Sequence, residues 1–138
     1  MKTKILTLLT ILTAFISVSC NRGGGDSDKL KIGMTVQDLS NPTWSGYCKA
    51  IQQKAEANGA SMNYVACESN VSKQITQIEN FVSRGMDVII VHPADPAGIE
   101  AACKAARDAG VKVISWDDDI ENADTRWLIN NYDLGYAV

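Results

Sequence analysis

An open parallel sheet with helices on both faces, an α/β fold, is what this sequence predicts, and three observations predict it. From Leu30 onward, short apolar runs alternate with segments of helical periodicity, the pattern of a parallel sheet wrapped by crossover helices. The run "DVIIVHP" (87–93) is β-branched and bounded by a turn residue, as in a strand buried on both faces. Each helical segment closes on a glycine, at Gly59, Gly85 and Gly110, where a left-handed residue can stop a helix.

The elements follow in order. "LKIGMTV" (30–36) reads as the first strand. In "NPTWSGYCKAIQQKAEANG" (41–59), Trp44, Tyr47, Cys48, Ile51 and Ala55 recur at three- and four-residue steps, one face of a helix. "ASMNYVAC" (60–67) is a second strand, less apolar and so nearer a sheet edge. "SKQITQIENFVSRG" (72–85) is a helix with Ile75, Ile78 and Val82 on its stripe. The third strand, 87–93, leads into "DPAGIEAACKAARDAG" (95–110), with Asp95 as N-cap and Pro96 at the first helical position, both favoured there. "VKVISW" (111–116) is strand four and "RWLIN" (126–130) strand five. No strand-to-helix turn carries G-x-G-x-x-G or a P-loop lysine, so nucleotide binding has no support.

Ahead of this domain, Lys2 and Lys4 precede an apolar run from Ile5 to Val18 and then "ISVSC", ending at Cys20. A basic start, an apolar core and small residues make residues 1–19 an export signal. The run is shorter and richer in Thr and Ser than a membrane span, which needs about 20 apolar residues. "NRGGGDSD" (21–28) is a flexible tether, since glycines with small polar neighbours pack no core. Loss of Lys2 and Lys4 with the signal makes a chain of net charge -3 more acidic still. No basic patch is present for nucleic acid. Cys48, Cys67 and Cys103 show no zinc spacing and read as buried free thiols.

In open parallel sheets, ligands sit beyond the carboxyl ends of the strands, where strand order reverses. There the sequence delivers Gln37, Asp38, Asn41 and Trp44, then His92 and Asp95, then Trp116 with Asp117–Asp119, then Asn130 and Asn131. The set has no nucleophile with a base, so no enzymatic activity is expected. Calcium needs six or more oxygens and a turning Gly, and no Gly falls among Asp117, Asp119, Glu121 and Asp124; no metal and no cofactor are expected. Planar carboxylates and amides bridging hydroxyls, with aromatics under a C–H face, are what a sugar needs. Two alternatives stay open: Asn41 either contacts ligand or caps the first helix, and Trp44 either contacts ligand or packs in the core. His92 reads as structural, and Asp119, Glu121 and Asp124 as solvated loop.

"KIGMTVQDLSNPTWSGYCKAIQQKAEANG", "QITQIENFVSRGMDVIIVHPADPAGIEAACKAARDAGVKVISWDDD" and "INNYDLG" together resemble the first lobe of periplasmic sugar-binding proteins of the ribose-binding type. "ISVSC" resembles a lipoprotein lipobox with Ser17 in place of the commoner Leu, which implies lipidation of Cys20. The resemblance implies a two-lobe fold, with 20–29 a lipid-anchored tether and 30–138 the first lobe. It implies a monosaccharide or deoxysugar ligand held between the lobes and an ABC permease as partner, at the cell envelope. Carried over by resemblance, the ligand contacts are Asn41, Trp44, Asp117, Asp118 and Asn131. Asp118 stands where ribose-binding members carry Arg, and Asn131 where Asp is commoner. "SWDDD" with Arg126 and "LIN" also resembles the rhamnose- and autoinducer-binding branch. The family continues into a second lobe, so a fragment of a longer product is expected, binding sugar weakly when alone. The rival reading is a sensor that passes a sugar signal to a chemoreceptor or membrane histidine kinase.

Overall fold

The computed structural model describes residues 29–128 and residue 130. The order is β1 (Lys31–Val36), α1 (Pro42–Ala57), β2 (Ser61–Ala66), α2 (Val71–Ser83), β3 (Val88–Val91), α3 (Pro96–Asp108), β4 (Lys112–Asp117) and β5 (Thr125–Leu128). The predicted alternation is the one observed. All strands are parallel and lie in the order β2-β1-β3-β4-β5. The weakly apolar β2 is at an edge, as its composition predicts. The chain turns one way from β1 to β2 and the other way from β3 onward, so strand order reverses between β1 and β3.

Two layers of core follow from the pleat. Ile89, Val91 and Val113 face α2 and α3, packing with Ile78, Phe81, Ile99, Cys103 and Ala106. Met34, Val36, Ile90 and Trp116 face α1, packing with Cys48 and Met62. Gly33 is required at the first layer: a Cβ there would lie 2.7 Å from the Phe81 ring.

Two expectations about the helices need correction. The fully buried residues of α2 are Gln74, Ile78 and Phe81, which keep the predicted Ile78 but put Gln74 and Phe81 in the places expected for Ile75 and Val82. Ile75 and Val82 flank them, partly buried. The buried amide of Gln74 finds partners at both ends, which offsets the cost of removing it from water. Asp95 occupies the N-cap position of α3 with extended backbone but makes no side-chain cap hydrogen bond. Asn41 and Asn70 do cap their helices, accepting from the N–H groups of Thr43 and Lys73 at 2.9 Å each.

Parallel strands normally need a long crossover, yet β4 joins β5 through residues 118–124 alone. This suffices because only Ile114–Asp117 pairs with Thr125–Leu128, so the chain climbs back about 10 Å at roughly 3.3 Å per residue. Side chains fasten the return. Asp124 accepts the N–H of Val113 at 2.9 Å and meets Arg107 Nε at 3.2 Å. Glu100 accepts the N–H groups of Glu121 and Asn122. Asp124 is therefore a latch between α3, β4 and β5, not solvated loop, and its bond to Val113 and then the Arg107 charge hold its carboxyl below the usual range against the opposing effect of burial. Asp119 and Glu121 are exposed as expected.

Candidate functional site

The loop after β1 begins at Gln37. Asp38 accepts from the N–H and hydroxyl of Ser40 at 2.8 and 2.6 Å, shaping the turn into α1. The hydroxyl bond and then the N–H bond hold the Asp38 carboxyl low. Its carboxylate is thus occupied within its own loop. Asn41 is exposed and caps α1 through Oδ1, leaving its amide nitrogen for a ligand. Both open readings of Asn41 are compatible with this geometry.

Trp44, one turn into α1, is half-buried against the α1 layer and also meets the site: its ring lies edge-on to His92 with centroids 4.7 Å apart. His92, just past β3, is 2% exposed. On its other side Trp116 lies tilted at 4.9 Å. The imidazole is thus wedged between two indoles at the point where strand order reverses. Its Nδ1 accepts the N–H of Gln37 at 3.5 Å, and Nε2 stands 3.5 Å from Asp117 Oδ2. Burial lowers the His92 pKa below 6.5, although the facing charges of Asp117 and Asp118 pull the other way. Burial thus favours the neutral ring, in which the contact with Asp117 is an N–H facing a carboxylate rather than an ion pair.

Asp117 ends β4 with φ 72°, a left-handed conformation that costs a non-glycine residue about 1 kcal/mol or more. The turn is held by the Asp118 N–H on the Trp116 carbonyl at 3.0 Å and by the Ser115 hydroxyl on the Asp118 carbonyl. The result breaks the strand at Asp117, whose half-exposed carboxylate remains beside His92. Asp118 is exposed. Asp119 is fixed by Arg126 Nε at 2.9 Å, and the same guanidinium donates to the carbonyls of Ile120 and Glu121. Asn131 and Cys20 lie outside the described residues.

Sequence reasoning missed three contributors. Gln74 is fully buried, donating to the His92 carbonyl at 2.9 Å and accepting from Ala94 at 2.8 Å. Its spacing to Ile78 and Phe81 was the available signal. Gln77 accepts the Thr35 hydroxyl at 2.6 Å and donates to the Ala66 carbonyl at 2.9 Å, tying β1 to β2. Trp127 stacks on Trp116 at 6.0 Å, remains 51% exposed, and with half-exposed Tyr47 extends the aromatic surface toward β5. Parallel pairing of Trp116 with Trp127 puts both on one face. A hollow of about 460 Å³ lies elsewhere, at the amino end of β2, lined by Gln52, Glu56 and Asn63 among others. It shares none of these residues. Among the described residues no group of three or more His, Cys, Asp and Glu is arranged to hold a metal ion.

A neutral aromatic–imidazole wall, an exposed carboxylate and a capping amide at a switch point suit a polar, hydroxyl-bearing small molecule. The sequence profile of the periplasmic binding protein domain matches residues 32–138. The chain belongs to the periplasmic binding protein family. Among curated relatives of this periplasmic binding protein lobe, the D-xylose-binding periplasmic protein of Haemophilus influenzae is 31% identical over 129 residues, covering 94% of this chain and 37% of that protein. The ribose import binding protein of Bacillus subtilis is 26% identical over 135 residues, covering 91% of this chain and 44% of that protein. Among solved structures, the Caulobacter myo-inositol binding protein bound to myo-inositol superposes with a TM-score of 0.69 at 26% identity, covering 83% of this chain and 38% of that one. The chain thus spans well under half the length of these relatives. Its sheet is the one expected for a periplasmic binding protein lobe, and the predicted kinship with sugar-binding members is the kinship found.

Proposed function

We propose that this chain is the first lobe of an extracytoplasmic substrate-binding protein that takes a monosaccharide or deoxysugar between two lobes and delivers it to an ABC permease. The observation that carries the reading is the grouping of Trp44, His92, Trp116 and Asp117 at the carboxyl edge, beside the reversal of strand order. Asn41 and Asp117 supply planar polar groups for sugar hydroxyls, and Trp44 an apolar edge for the ring. Asp118 and Asn131 complete the proposed contacts. Residues 1–19 serve as export signal, lipidated Cys20 as anchor, and 20–29 as tether, which keeps the protein beside its permease on the outer side of the membrane. The kinship with sugar-binding relatives supports a binding role.

The test is calorimetric titration of the complete gene product, purified from native membranes, with D-xylose, D-ribose and myo-inositol. Saturable binding of one of them, lost in Asp117→Ala, is the expected result. No binding to any of a broad monosaccharide panel would overturn the reading. The intact mass of the same preparation reports whether Cys20 carries lipid.

A further inference from the structure

We propose that His92, fixed as the Nε2–H tautomer, is a positioning residue that orients the Asp117 carboxylate for ligand. This rests on the sugar-binding reading above and assigns a role to a residue that reads from sequence as merely structural.

The His92 main chain is anchored in both directions, its N–H donating to the Thr35 carbonyl at 2.9 Å and its carbonyl accepting from Gln74 at 2.9 Å. The imidazole plane is then held by Trp44 and Trp116. With position and plane both set, tautomer is decided by the Gln37 N–H. That group can only donate, so Nδ1 must accept and Nε2 must carry the hydrogen. The hydrogen therefore faces Asp117 Oδ2, 3.5 Å away, a long contact of the kind that shortens when a site fills. Asp117 needs such a guide because it ends its strand in a left-handed turn, from which its side chain has no β-strand direction to follow. The same ring links the loop after β1, which carries Asn41, to the loop after β4, which carries Asp117. Protonation would put a hydrogen on Nδ1 against the Gln37 N–H, and burial keeps the ring neutral. Asp117 and Asp118 are the charged groups facing it; Gln37, Trp44, Gln74 and Trp116, from the other elements around it, are uncharged.

The chain contains one histidine, so its ring nitrogens are identifiable without assignment ambiguity. Long-range 15N–1H NMR on the full 138-residue chain is expected to show neutral Nε2–H at pH 7. Asp117→Asn removes a facing negative charge and should move the His92 midpoint to lower pH. An Nδ1–H tautomer, or a midpoint unmoved by Asp117→Asn, overturns the proposal. Neither readout needs a sugar. The ligand arm uses the complete gene product with D-xylose as probe: His92→Phe should weaken binding about tenfold, as loss of one buried hydrogen-bond donor does, and His92→Gln, which restores a donor, should recover most of it. Equal xylose binding by wild type and His92→Phe would also overturn it. A complete wild-type gene product that binds none of xylose, ribose and myo-inositol counts against the sugar reading, while the tautomer still decides the role of His92.

Discussion

Gln74 Nε2 donates to the His92 carbonyl at 2.9 Å while Gln74 Oε1 accepts the Ala94 N–H at 2.8 Å. One buried amide from α2 thereby closes the loop that leaves β3 and carries His92. Removing the amide takes a partner from the buried His92 carbonyl and from the partly buried Ala94 N–H, and a buried group left unsatisfied costs about 1–3 kcal/mol. Gln74→Leu, which keeps the volume, is expected to lower stability by about 3 kcal/mol in urea denaturation. A loss below about 0.5 kcal/mol would mean the loop holds itself.

Gly33 faces Phe81 so closely that a methyl group has no room, with ring carbons 2.7–2.9 Å from its would-be position. Gly33→Ala should destabilise the lobe by about 1–3 kcal/mol through overpacking. Phe81→Leu, which removes the ring, should leave much less penalty for Gly33→Ala in the double variant. Strictly additive effects in this double-mutant cycle would show that the two positions do not press on each other.

Asp117 separates stability from function. Its φ of 72° suits glycine, so Asp117→Gly is expected to hold or raise stability by up to about 1 kcal/mol. The same change deletes the proposed sugar carboxylate and should abolish binding. Thermal denaturation and titration on one preparation check both halves.

The pH dependence has a definite sign. The folded pKa of His92 lies below its ordinary 6.5, with burial as the main cause. Between those two values the unfolded chain binds the extra proton, so stability rises with pH there. The contribution is complete above pH 6.5 and is lost as pH falls through that window toward the folded pKa. His92→Gln should flatten the stability curve in that interval while leaving a further fall at lower pH. Part of that fall belongs to Asp124, whose carboxyl is held low mainly by the Val113 N–H. Its stabilisation is present above the unfolded pKa of about 4 and lost as pH drops through the folded value.

Cys48, Cys67 and Cys103 are buried and unpaired. Burial, with a smaller contribution from Glu100, pushes the Cys103 thiol up to about 12, and burial raises the other two. Thiolate is the reactive form, so none of the three should be alkylated in the folded lobe at pH 7–8, and all should react in denaturant. Peptide mass mapping after a brief iodoacetamide pulse decides this.

The strand and helix order was legible because each element of this chain obeys one period, as Val88–Val91 and the Cys103–Ala106 face of α3 show. The edge position of β2 followed from its mixed composition. What escaped were residues whose partners are distant in sequence. Gln74 has the spacing of a core residue and the chemistry of a surface one, and only the His92 and Ala94 main chain explains it. Asp124 looks like its exposed neighbours until Val113 and Arg107 are brought beside it. The place of Asp117 and Trp44 at the carboxyl edge was readable from their position after a strand. The wedge that joins them through His92 was not, since it depends on how far β1 and β4 stand on either side of β3. Trp127 was seen as strand and not as surface, because the parallel register that stacks it on Trp116 is set by the short β4–β5 return.

That short return has a consequence for the order in which the lobe opens. Among the described residues β5 has one strand neighbour, and all its side chains face solvent to a large extent, so its detachment exposes little new apolar surface beyond the face of Trp116 that Trp127 covers. Its amides should exchange with deuterium well before those of β1, β3 and β4, through local opening rather than global unfolding. Trp116 loses the stacked Trp127 ring when this happens but keeps its packing against α1, and His92 stays held from α2 and β1. The sheet can therefore fray at one margin while the corner beside β3 that holds His92 keeps its form.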